Sequence, residues 1–91
     1  MGNIRAGVWT NRKGKDFPID KMPHGYLVNA FDYVSRTART LLDCVRDSRA
    51  RVNEDPYIAM IVADHERRAI ECLYWRAVFR RELRRRRKAC R

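Results

Sequence analysis

No run of about 18 apolar residues occurs in this sequence, so it offers no candidate for a membrane-spanning helix. It does not open on a charged segment followed by an apolar one with a small-residue cleavage site, so no secretory signal is expected and the expected location is the cytoplasm. Gly2 stands where a myristoylation signal needs it, but Ala6 replaces the required Ser or Thr, which removes that reading. Cysteine is scarce. Cys44, Cys72 and Cys90 are odd in number and far apart, which excludes a disulfide framework and a C-x-x-C metal or redox pair. Cys44 and Cys72 fall in apolar-periodic stretches and are expected to be small buried hydrophobes, whereas Cys90 is expected to be exposed. Negative charge is also short, with 11 acidic residues against 21 Lys and Arg and a net charge of +10.

That positive excess is unevenly placed. Residues 80–91 carry eight basic groups and one acidic group, and residues 1–22 carry five and two; the segments between are balanced. A field polarised in this way favours phosphate backbones or an acidic protein surface as partners. At 91 residues the chain makes one domain at most, and 45% apolar content is too high for disorder. So small a layer is marginal alone, and self-association into a homo-oligomer is expected.

The dominant pattern runs from Pro56 to Lys88. Ile58, Ile61, Val62, Ala69, Cys72, Leu73, Phe79 and Leu83 recur mostly at three- and four-residue steps and define one side of a helix. Asp55 suits its N-cap and Pro56 its first position. No Gly marks its end, so residues 84–91 are read as a basic tail that either continues the helix to Ala89 or frays into disorder under its own repulsion. A first helix starts at Pro23 and runs to about Arg49 or Arg51, with Leu27, Ala30, Phe31, Val34, Ala38, Leu41, Leu42 and Val45 as its apolar stripe. Before it, residues 1–7 read as a mobile arm, and Val8–Thr10 and Lys15–Ile19 flank a turn, Asn11 to Gly14, of hairpin length. Trp9, Phe17 and Ile19 must then lie on the helices, because a lone hairpin is marginal in water. The expected fold is mainly α: a short N-terminal β-hairpin followed by an antiparallel hairpin of two long helices, one domain spanning residues 8–88. Antiparallel packing is expected to bring Arg12, Lys13, Lys15 and Lys21 to the same end as Arg80 to Lys88, forming one basic pole.

The pattern Trp9-Thr10-x-x-x-Gly14-Lys15-x-x-Pro18-Ile19-x-x-Met22-x-x-x-Tyr26-Leu27-x-Asn29-Ala30 resembles one found in small proteins of tailed phages and prophages. In those proteins a W-T-x-x-G hairpin leads into an I-x-x-M-x-x-x-[HY]-L-x-N-A helix start, with Trp, Phe or Ile and Met as a packing set. The resemblance covers roughly the first third of the chain. It implies a phage-encoded accessory protein, acting in the host cytoplasm, and brings no catalytic residues with it.

Function is therefore sought in binding. Arg80, Arg81, Arg84, Arg85, Arg86, Arg87 and Lys88, joined by Lys13 and Lys15, are the candidate contacts to nucleic acid or an acidic partner, since clustered cations release counterions on meeting phosphates. Zinc-finger spacing, an RRM signature and a helix-turn-helix are all absent, so little sequence specificity is expected. Tyr74, Trp75 and Arg76 interleave aromatics with a guanidinium and are candidates for a protein interface. That set carries the alternative expectation, an anti-defence (anti-CRISPR-like) or host-takeover inhibitor that binds a host protein. A minor virion component is the third option. His65 beside Asp64 and Glu66 lacks the convergent ligands of a metal site, and no nucleophile, base and oxyanion set is visible. Neither an enzyme nor a small-molecule substrate, cofactor or metal is expected, and His65 is read as a satisfied helix-face residue.

Overall fold

A computed structural model describes residues 7–89, apart from the side chain of Glu54; the expected arm before Gly7 and the exposure of Cys90 lie outside the described residues. The chain forms β1 (Val8–Thr10), β2 (Asp16–Pro18), a 3₁₀ turn at Ile19–Lys21, α1 (His24–Arg49), a second 3₁₀ turn at Val52–Glu54 and α2 (Pro56–Ala89). The two helices pack as a hairpin in a rod of 55 × 27 × 18 Å, with the β-hairpin laid along one flank.

Local chemistry accounts for the boundaries. Asp55 caps α2 as its spacing predicts: its Oδ1 accepts the Tyr57 N–H at 2.9 Å, and Pro56 occupies the position that needs no donor. Pro23 stands at the N-cap of α1 rather than inside it, and its carbonyl accepts the Leu27 N–H at 2.9 Å. The β-turn is built by Asn11, whose side-chain oxygen accepts the N–H groups of Lys13 and Lys15, both at 2.9 Å, and by Gly14 at φ +79°. Strand register pairs Trp9 with Phe17, so both rings leave the hairpin on its helix-facing side. Ile19 lies beyond β2 in the 3₁₀ turn and is still buried.

The core runs along the groove between the helices. Leu27, Ala30, Val34, Ala38, Leu41 and Val45 of α1 are buried, as their spacing predicts. Leu42 does not join them and is 45% exposed, and on α2 Leu73 is 41% exposed. Both lie on the shoulder of a stripe that a single partner helix cannot cover. Cys44 is also exposed, contrary to expectation, while Cys72 is buried. On α2 the buried set is Val62, Ala69, Cys72, Trp75, Phe79 and Glu82, so the inward face drifts around the helix toward the hairpin as the chain advances. Trp9 provides the reason: its ring meets Trp75 and Phe79 edge-on, with centroids 5.2 Å away in each case, and Phe17 stacks on Tyr26 at 4.8 Å.

Candidate nucleic-acid interface

α2 continues as helix through the arginine run to Ala89. The run is therefore not a loose tail over the described residues, and its side chains divide between two sides of one helix. On the outer side, Arg76, Arg80, Arg84 and Lys88 follow one another at four-residue steps, about 6 Å apart along the axis. Arg81 and Arg85 lie beside them, and the six side chains with Ala77 line one open surface depression. Arg80, Arg81, Arg84 and Lys88 have no carboxylate within ion-pair distance among the described residues. Arg76 has none either. Its Nε donates to the Ser35 hydroxyl at 3.2 Å and its guanidinium lies 5.7 Å over the Phe31 ring, so it is anchored on α1 by neutral groups and keeps its charge uncompensated.

The inner side is organised by Glu82, which is 8% exposed and was missed by the reading of the sequence. Arg85 donates to both of its oxygens, at 2.9 and 2.6 Å, and Arg86 Nε donates to Oε2 at 2.8 Å. The hydrogen bond from Arg85, followed by that from Arg86, holds the Glu82 carboxyl at a pKa of about 2 against the opposing effect of burial. Arg86 also spans to the first part of the chain: its Nη2 donates to the carbonyls of Ile19 at 3.2 Å and Met22 at 2.6 Å. The signal that could have exposed Glu82 is its isolation, a single acid among eight bases and three or four residues before two of them.

Four candidate contacts need correction. Arg86 is not free for a ligand, because its side chain is 17% exposed and its donors serve Glu82 and the 3₁₀ turn. Trp75 is not an interface residue: it is 3% exposed and sandwiched by Trp9 and Phe79. Lys13 and Lys15 do not join the basic pole. The hairpin folds back along the rod, so its tip residues Asn11 to Gly14 reach the middle of the helices, beside Tyr33, Thr37, Arg67 and Glu71. There Arg12 lies 5.9 Å over Tyr33, and Lys15 lies 5.3 Å over Phe17. Of the aromatic and arginine set, Tyr74 remains half-buried against Trp75, with ring centroids 5.3 Å apart.

The tip also roofs a cleft of about 490 Å³ with an apolar floor of Trp9, Val34, Leu41 and Cys72 and a rim of Arg12, Arg67, Arg68 and Glu71. Its charges are mutually satisfied in large part, since Arg67 bridges Asp64 at 2.9 Å and Glu71 at 3.1 Å. Burial, the largest influence, raises the Cys72 thiol above its ordinary pKa, so it is a poor thiolate. His65 Nδ1 is 2.7 Å from the Ile61 carbonyl within its own helix. Among the described residues, no three His, Cys, Asp or Glu side chains converge as metal ligands, and no helix is long and apolar enough to cross a membrane. Compared with family models, curated proteins and solved structures, the chain matches none.

Proposed function

We propose that this chain is a small accessory binding protein that holds nucleic acid, alone or within a nucleoprotein complex, through the outer side of α2 and with little sequence preference. One observation carries the reading: Arg76, Arg80, Arg81, Arg84 and Lys88 lie on one face of a continuous helix with no carboxylate among the described residues to compensate them. Five such charges against a phosphate backbone release condensed counterions, and that release supplies most of the sequence-independent affinity for nucleic acid. The phage-like pattern of Trp9 to Ala30 gives the proposal its setting, an infected cell with phage and host nucleic acid at hand. The competing reading, inhibition of a host protein through Tyr74, Trp75 and Arg76, loses support because Trp75 is core.

The test is a mobility shift of mixed DNA fragments at about 50 mM salt, with the full chain, the triple variant Arg80→Gln/Arg81→Gln/Arg84→Gln and the double variant Lys13→Gln/Lys15→Gln. Retardation by the full chain and the double variant, with none by the triple variant, supports the reading. Equal retardation by all three would sink it. Point variants are needed here, because truncation of the arginine run would also remove the Arg86 bonds to Ile19 and Met22.

A further inference from the structure

Resting on the reading above, we infer that the outer face of α2 is built for double-stranded nucleic acid, laid across its phosphate backbones, and not for single strands. Proteins that hold single strands combine cations with exposed aromatic rings, on which unpaired bases stack for about 1–3 kcal/mol each. The sequence promises such a surface, because Tyr74, Trp75 and Phe79 are interleaved with Arg76, Arg80 and Arg81. The fold withdraws it. Trp75 and Phe79 are 3% and 0% exposed, turned inward against Trp9, and Tyr74 is half-buried against Trp75. Phe31, the aromatic nearest the face on α1, lies beneath the Arg76 guanidinium. The exposed aromatics lie elsewhere: Tyr57 is about 28 Å of helix away from Arg76, and Tyr33 sits at the hairpin tip beneath the Arg12 guanidinium. What remains is a cationic surface without a stacking platform.

The charge geometry suits a duplex instead. From Arg76 to Lys88 the face extends about 18 Å along a continuous helix whose inner side is packed as far as Leu83 and tied down beyond it by Arg86, so the positions that carry the charges form one row. A duplex carries a phosphate charge about every 1.7 Å of axis, twice the density of one strand, and returns more counterion release for each neutralised phosphate. The depression on this face is lined by arginine, lysine and one alanine, cations that hold a protein on phosphates, so the contact proposed is with the backbones.

Fluorescence anisotropy of the full chain with a labelled duplex of roughly 16 base pairs, and with each of its strands, tests this at about 50 and 200 mM salt. The duplex is expected to bind at least about tenfold tighter than either strand, and to weaken about 500-fold across that range, the value for five neutralised phosphates. Intrinsic tryptophan emission should not move, because Trp9 and Trp75 stay buried. Equal or tighter binding of a strand, with quenched tryptophan, would overturn the duplex inference and leave nucleic-acid binding standing. Failure of both probes to bind at about 50 mM salt would remove both readings. Duplex binding retained in full by Arg80→Gln/Arg84→Gln would show that this face is not the site.

Discussion

Two sides of the last four turns of α2 are written in the same residue type and do opposite work. Arg86 faces inward, gives its donors to Glu82 and to the carbonyls of Ile19 and Met22, and fastens the helix to the 3₁₀ turn that follows the β-hairpin. Arg84, two positions earlier and so about 200° around the helix, faces outward with no acid beside it among the described residues. A single carboxylate makes the difference. Because Glu82 is buried at the contact with the amino-terminal segment, it draws Arg85 and Arg86 into a fixed cluster and leaves the other cations as a face that a solvated tail could not present. The inner side is thus structure and the outer side is available charge, and substitutions can be chosen to move one without the other.

The largest expected effect is on the inner side. Trp75→Ala removes a ring that packs on Trp9 and Phe79 and should cost about 3–5 kcal/mol, read as a fall in the chemical-denaturation midpoint at unchanged slope. Tyr74→Ala, one residue away and half-buried, should cost about 1 kcal/mol. Equal costs for the two would mean that Trp75 is not the inner anchor.

Next comes Glu82→Gln, which leaves the cluster without its charge and should cost about 2–3 kcal/mol, the scale of hydrogen bonds to an ionised group. It carries a pH signature. Glu82 has its pKa lowered from an ordinary 4.5 to about 2, so its stabilisation is complete above about pH 4.5 and is lost as pH falls toward 2. Across that interval stability of the parent chain should drop more steeply than that of Glu82→Gln, as followed by circular dichroism in denaturant at each pH. Parallel curves would mean that Glu82 is not the acid holding the inner side.

The fold was legible because its signals are local and periodic. Asp55-Pro56, the Asn11 to Gly14 turn and the steps of Leu27, Ala30, Val34, Ala38, Leu41 and Val45 each state their structure within a few residues. The division of the candidate site was not legible, because it depends on where the hairpin lands. Trp75 stands three residues after Cys72 and four before Phe79, so helical spacing brings it to the edge of the stripe; Trp9, more than sixty positions away in sequence, packs on that side and completes its burial. The same approach turns Arg86 from a free charge into a strut. The direction of the chain predicts Lys13 and Lys15 at the basic pole, but the hairpin folds back and carries its tip to the middle of the rod.

The smallest effect on stability is the sharpest test of the two sides. Arg86→Gln should lower stability by about 1–2 kcal/mol, because three hydrogen bonds from a largely buried guanidinium are lost or weakened. Arg84→Gln touches no carboxylate and should change stability by no more than about 0.5 kcal/mol. Binding reverses the order. Loss of the Arg84 charge should make the dependence of log affinity on log salt shallower by about 0.9, the share of one phosphate contact, whereas Arg86→Gln should leave that slope in place while the chain stays folded. Denaturation and salt titration of the same two proteins therefore cross: the variant that unfolds more easily keeps its salt slope, and the variant that is as stable as the parent loses part of it. If both variants shifted together in both measurements, the arginine run would be one undifferentiated charged segment and the buried Glu82 would have no part in dividing it.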